Sequence, residues 1–297
     1  MSKVWLITGS SRGLGRDLAK AVLAAGHRLV ATARRAEDLR ELVAEYGDRV
    51  RAVALDVTNP AAAREAVAVA TRAFGRLDVV VNNAGYANVN SIEHVAEDDF
   101  RAQIETNFFG VVNVTRAALP VLRAQRDGHI IQVSSIGGRF GSPGIAAYQA
   151  SKFAVGGFSE VLAKEVGPLG IRVTVVEPGG MRTDWAGSSM RVDDIHPDYQ
   201  ATVGAMFQNR GPEGTHIMRG DPSKVAQAIL RIALEKEPPI RLLAGSDATF
   251  LADLTLKARA AEDAKWNALS VSTDFDGMGD FADTPIAQLL AAQLRGS

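Results

Sequence analysis

The sequence predicts an α/β fold, a doubly wound parallel sheet of about seven strands with helices on both faces. Three observations predict it. Short, β-branched apolar runs alternate with longer helical patterns along residues 3–245. Those runs are apolar on both faces, as strands covered from two sides must be. The first run also passes straight into a glycine cluster that opens the first helix, a junction at which such a sheet can hold a phosphate.

The elements follow in order. "KVWLIT" (3–8) reads as a strand before a helix over 13–25, and 28–33 as a strand before a helix over 36–46. The strand 50–57 precedes an Ala-rich helix over 60–74, and the strand 77–85 precedes a long helix over 97–124. The strand 129–135, a helix over 147–167 and the strand 171–179 bring the pattern to a Pro-Gly turn. Residues 181–220 then lose all periodicity and are too long for a simple connection. They carry Met181, Trp185, Met190, Tyr199, Met206 and Phe207, so a lid over a largely apolar pocket is expected. A helix resumes over 221–236 with Asp221 as N-cap and Pro222 at its first position, before a last strand over 240–245 and a helix over 248–267. The expected organisation is one α/β domain over 1–245 and a helical extension over 246–297. The terminal helix 284–294 has Ile286, Leu289, Leu290 and Leu294 on one face, which asks for cover by its own domain or by a neighbouring subunit.

Composition removes several functions. Lys+Arg is 33 against 34 for Asp+Glu, a net charge of −1, which argues against a general binder of nucleic acid or membrane. With no cysteine among 297 residues there are no disulfides, thiolate metal sites or thiol nucleophiles. The histidines 27, 94, 129, 196 and 216 lack metal-ligand spacing, so no metal is expected; only His196, in the lid, is a candidate for substrate contact. The apolar run Val4–Ile7 is too short for a signal peptide, and no run approaches the ~20 residues of a membrane span. A cytoplasmic protein is the expectation.

Gly9, Gly13 and Gly15 recur in "TGSSRGLG", at the turn from the first strand into the first helix. Glycines there let the backbone approach a pyrophosphate closely, although any tight turn would also favour one or two of them. At the end of the second strand, where a carboxylate would grip the ribose of NAD, Ala33 stands, followed by Arg34 and Arg35. A guanidinium can grip a 2′-phosphate that a carboxylate would repel, and Arg12 adds a second basic group. The expected cofactor is therefore NADP(H) in preference to NAD(H). Asp56 is placed to accept from the adenine amino group, or else to serve as an ordinary charge before a helix.

The motifs "TGSSRGLG", "NNAG" (82–85), "SS" (134–135), "YQASK" (148–152) and "PGGMRT" (178–183) come in an order and spacing that resemble the short-chain dehydrogenase/reductase family, over residues 3–245. The resemblance implies a Rossmann-like fold, and it implies that Asn107, Ser135, Tyr148 and Lys152 carry catalysis. Ser135 is preferred to Ser134 because the family's serine stands thirteen residues before its tyrosine. Beside the glycines and arginines already named, it implies cofactor contacts from Ser11, Leu14, Asp56, Val57, Asn83, Ala84, Gly85, Tyr148, Lys152, Pro178, Gly179, Met181 and Thr183. Substrate contacts are expected from Tyr86, Ser135, Ile136, Phe140, Tyr148, Gly180 and Trp185; Arg139 and Arg182 could meet an acidic substrate group, but solvated arginines are the preferred reading. Asn107 is implied to hold a water that links Lys152 to solvent.

The chemistry of these residue types agrees. Carbonyl reduction leaves an alkoxide that needs a proton, which a tyrosine can supply as acid or remove in reverse. At i and i+4, Lys152 shares a helix face with Tyr148. At ~4 Å and an effective dielectric of ~20 an ammonium stabilises phenolate by about 4 kcal/mol, an upper bound of roughly three pKa units. The expectation is a carbonyl reductase or alcohol dehydrogenase acting on a medium-sized, largely apolar molecule. An NADP-binding sensor without catalysis is the rival of another class, and the intact Ser135, Tyr148 and Lys152 argue against it. A sugar-nucleotide epimerase or dehydratase is a second rival, disfavoured by the glycine spacing and the modest C-terminal extension. Gly156 and Gly157 beside Phe153 and Phe158 suit close helix packing, so a homodimer or homotetramer is expected.

Overall fold

The computed structural model describes residues 2–182, 190–208 and 218–295. Seven strands are β1 Val4–Ile7, β2 Arg28–Ala33, β3 Val50–Ala54, β4 Val79–Asn82, β6 Gly128–Val133, β7 Ile171–Pro178 and β9 Arg241–Ala244. They form one parallel sheet in the order β3-β2-β1-β4-β6-β7-β9. The chain winds outward from β1 in one direction and restarts at β4 in the other. The carboxyl ends of β1 and β4 therefore flank the crevice in which open α/β sheets bind ligands.

Both faces of the sheet are buried because neighbouring residues of a strand point in opposite directions. Val4 and Leu6 pack with residues of α3 (Pro60–Phe74), α5 (Gly110–Gln125) and α6 (Ala146–Val166). Trp5 and Ile7 pack with those of α1 (Gly13–Ala24) and of the helix Pro222–Ile232. The helix bounds follow local chemistry. Asn59 accepts from the backbone N–H groups of Ala61 and Ala62 to start α3, and the left-handed Gly75 ends it. Asp221 caps Ser223 and Lys224 in the same way, as its sequence position suggests.

The structure departs from the sequence pattern in two places. The helix expected over 97–124 is α4 (Glu97–Ile104), a π-turn at Glu105–Phe109, then α5. The excursion after β7 contributes a strand, β8 (Met190–Val192), which pairs with β5 (Ala87–Val89) in a separate two-stranded sheet. Strands of three residues carry too little pattern to be seen in sequence.

The chain divides into two compact units, 1–250 and 251–297. The second holds the end of the long helix Ser246–Val271, a 3₁₀ turn at Phe281–Asp283 and the helix Pro285–Arg295. It has little core of its own, for Trp266, Leu269, Phe275 and Leu289 stay exposed. Among the described residues no helix is long and apolar enough to cross a membrane.

Candidate active site

The turn after β1 is built for close backbone approach. A Cβ at Gly15 would lie 2.2 Å from the Gly9 carbonyl oxygen and 2.5 Å from Asn83 Nδ2, so only glycine fits. Asn83 Nδ2 donates to the carbonyls of Thr8 and Gly9, which ties the end of β4 to this turn. Thr8 completes the tie: its Oγ1 accepts from the N–H groups of Asn83 and Ala84. Sequence reasoning passed over Thr8, and its place as the residue leaving β1 is the signal that could have found it. Among the described residues no side chain caps the first turn of α1, where Arg12 is the N-cap residue, so this turn presents its N–H groups towards the crevice. Leu14 is buried beneath the turn, and Ser11 and Gly13 are partly exposed beside it. This cradle fits a pyrophosphate.

Of the two arginines after β2, Arg35 is held by Asp38 at 2.8 Å, which raises its pKa. Arg34 is exposed and has no ion-pair partner among the described residues. Asp56 uses Oδ1 to accept from the Thr58 N–H and hydroxyl, at 3.0 and 2.8 Å. Val57 is buried against Gly110, and its carbonyl accepts from Asn113.

The π-turn brings Asn107 to the end of β4. Its Oδ1 accepts from the Tyr86 N–H at 3.0 Å, and its Nδ2 donates to the Tyr86 carbonyl at 2.8 Å. Both ends of the fully buried side chain are thus committed to one peptide segment. Gly85 sits at the junction: a Cβ there would be 3.0 Å from Asn107 Oδ1 and 3.7 Å from Lys152 Nζ.

Tyr148 and Lys152 lie one turn apart near the start of α6. The Ser135 hydroxyl lies close enough to the Tyr148 phenol to lower its pKa, and it accepts from the Gly137 N–H at 3.0 Å. Ser134 points elsewhere: its Oγ donates to the Lys152 carbonyl at 3.2 Å. The geometry thus separates the two serines. The electrostatics differ from the sequence expectation. Lys152 Nζ donates to the Val133 carbonyl at 2.8 Å and lies 5.5 Å from the centre of the Tyr148 ring. Burial pushes the Tyr148 phenol above its ordinary value, against a smaller lowering by Ser135. Burial also pulls the Lys152 ammonium down to about 8. In the protein alone, desolvation outweighs the attraction expected between the pair.

One flank of Tyr148 is apolar. Ala87, Val89, Met190, Val203 and Phe207 form a small core, with Ile145, Tyr148, Ile195 and Tyr199 packed against it. The strand β8 and the short helix Ala205–Gln208 hang this wall beside Tyr148. Ile136, which follows Ser135, is buried and Phe140 is half-buried, while Met206 is 40% exposed. Burial raises the pKa of the Tyr86 phenol. His196 stacks on His94 at 4.6 Å in the lid.

At the end of β7, Pro178 leads into Gly179 and Gly180, and the Gly180 N–H donates to Asp247 Oδ2 at 2.8 Å. Met181 pairs with Gly220, so the two ends of the excursion meet. The expected contacts Thr183 and Trp185 lie outside the described residues. Two sequence expectations need correction. Arg139 is bound to the buried Glu177, at 2.9 and 2.5 Å, and is therefore not held for an acidic substrate. Gly156 makes room inside the subunit for Arg241, whose Nη2 would lie 2.8 Å from a Cβ there, so close packing between subunits does not explain it.

Comparison with known proteins places the chain in one family. A family model described as short chain dehydrogenase matches residues 3–193. The oxidoreductase BOA17 of Botryotinia fuckeliana is 52% identical over 275 residues, covering 92% of this chain and all of that protein. A short-chain dehydrogenase from Streptomyces avermitilis superposes with a TM-score of 0.85 at 40% identity, over 93% of this chain and 99% of that one. A serine dehydrogenase complexed with NADP+ superposes with a TM-score of 0.69 at 29% identity, over 81% of this chain and 93% of that one.

Proposed function

The chain belongs to the short-chain dehydrogenase family, and from that premise we propose that it is an NADP(H)-dependent oxidoreductase acting on the carbonyl or alcohol group of a medium-sized, largely apolar molecule. The observation that carries the reading is the convergence of Ser135, Tyr148 and Lys152 beside the apolar wall of Val89, Met190 and Phe207.

Bound cofactor supplies or accepts the hydride. The residues of the chain bind, orient and move the proton. The glycine turn and the first turn of α1 hold the pyrophosphate, and Arg34 holds the 2′-phosphate. The exposed Arg34 without an acidic partner supports NADP over NAD, as does the NADP+ held by the similar serine dehydrogenase. Ser135 donates to the substrate oxygen. Tyr148 gives its proton to that oxygen as charge develops on it. With its pKa above the ordinary phenol value, Tyr148 is protonated at neutral pH and has a proton to give. Lys152 grips the ribose on the nicotinamide side, and its ammonium then stabilises the phenolate left behind. The Pro178–Gly180 turn borders the nicotinamide. The reading includes a cytoplasmic homodimer or homotetramer; Phe109 and Phe153, exposed on the π-turn and on α6, support an association through these helices.

The test is Tyr148→Phe with NADPH oxidation followed across a panel of ketones and aldehydes. Turnover should fall on the order of 10³-fold while NADPH binding, read by fluorescence, is retained. Unchanged turnover refutes the reading.

A further inference from the structure

Glu177 is the last residue of β7 before Pro178, and its side chain is fully buried. Each of its oxygens is taken by a different arginine. Oε2 accepts from Arg139 Nε and Nη2 at 2.9 and 2.5 Å, and Oε1 accepts from Arg241 Nη1 at 2.5 Å. Arg139 comes directly after the 3₁₀ turn Ile136–Gly138, which Ser135 starts. Arg241 opens β9 and also binds Glu160 of α6 at 2.8 Å. On α6, Gly156 leaves the room that the Arg241 guanidinium fills. One buried carboxylate thereby ties the serine turn, β7 and its Pro-Gly turn, β9 and the tyrosine-bearing helix.

A buried ion pair is a weak source of stability, because apolar residues of equal volume do as well or better. Its bonds are instead short and directional, and two-armed bonding by planar guanidinium groups sets geometry. We propose that Glu177, with Arg139 and Arg241, is a positioning centre that fixes where the Ser135 turn stands against the Tyr148 phenol. The proposal rests on Ser135 and Tyr148 forming the site, and its test needs neither substrate nor cofactor.

A glutamine at 177 is isosteric but turns one acceptor oxygen into a donor, so one arginine must leave. The full chain is labelled with tyrosine enriched in ¹³C at Cζ, whose chemical shift reports the hydrogen bond at the phenol oxygen. With four tyrosines in the chain, Tyr148→Phe assigns the signal. Ser135→Ala calibrates the shift for loss of the Ser135 hydroxyl. Glu177→Gln should move the Tyr148 signal in the same direction by at least half as much and leave Tyr46 and Tyr199 in place. In the Ser135→Ala background it should move nothing further. An unmoved Tyr148 signal in Glu177→Gln overturns the proposal, and so does an equal movement with Ser135 absent. If Glu177→Gln does not fold, Arg139→Gln, at a partly exposed side chain, carries the same two outcomes. Failure of the hydride-transfer reading would appear separately, as unchanged turnover in Tyr148→Phe.

Discussion

Replacing Lys152 with methionine should stabilise the cofactor-free protein at neutral pH while abolishing its turnover. The ammonium lies 5% exposed, and burial alone lowers its pKa from 10.5 to about 8. At 1.36 kcal/mol per pKa unit, that difference is about 3 kcal/mol of folding free energy. Between the two values the unfolded chain holds the proton and the folded one has released it. Stability therefore falls as pH drops from about 10.5 to about 8 and stays at the lower level beneath. Methionine matches the length of the aliphatic stem and carries no charge. It gives up the hydrogen bond to the Val133 carbonyl, a loss of about 1 kcal/mol. The net expectation is about 2 kcal/mol of added stability at pH 7. At about pH 10.5 the wild-type lysine is neutral in the folded protein, so the gain should shrink to below about 1 kcal/mol. Urea unfolding of both proteins at these two pH values measures it. A methionine variant that is less stable at pH 7, or a difference that does not change with pH, refutes the reasoning that Lys152 is held against its own desolvation.

His129 is fully buried, and desolvation pulls its pKa from 6.5 to about 3. Stability should fall by about 1.4 kcal/mol per pH unit as pH drops below 6.5, and His129→Asn should remove that slope in unfolding at pH 5 against pH 7. Gly15→Ala forces a Cβ to 2.2 Å from a backbone oxygen; a stability loss of about 2 kcal/mol and loss of NADPH binding in calorimetry are expected. Arg34→Asp should weaken NADPH by about 100-fold and NADH by less than about threefold, while Arg35→Asp, whose arginine is already bound to Asp38, should change NADPH affinity little. Equal losses at both arginines in fluorescence titration would contradict the assignment of the 2′-phosphate to Arg34.

The fold was legible because its causes are local. Strands buried on two faces need runs such as "VWLI" and "VVVN", and Asn59 with Pro60 or Gly75 mark helix ends through a side-chain cap, a fixed φ and a left-handed turn. The π-turn was not legible. One extra residue in a turn leaves no mark on apolar spacing, yet it brings Asn107 onto the Tyr86 peptide groups. The direction of the pKa shifts was not legible either. Spacing places Lys152 beside Tyr148, but it does not say that Nζ turns to the Val133 carbonyl, or how much water is excluded.

The sequence by itself determined the alternation of strands and helices, the glycine turn that only glycine can make, the arginines after β2, and the spacing of Ser135, Tyr148 and Lys152. These depend on residue type and distance along the chain. Tertiary structure alone decided that Ser134 turns to the Lys152 carbonyl while Ser135 stands by the phenol, and that Arg139 and Arg241 share the buried Glu177. The second outcome depends on which side chains, 38 and 64 positions apart along the chain, share one desolvated space with Glu177. No local pattern encodes that arrangement.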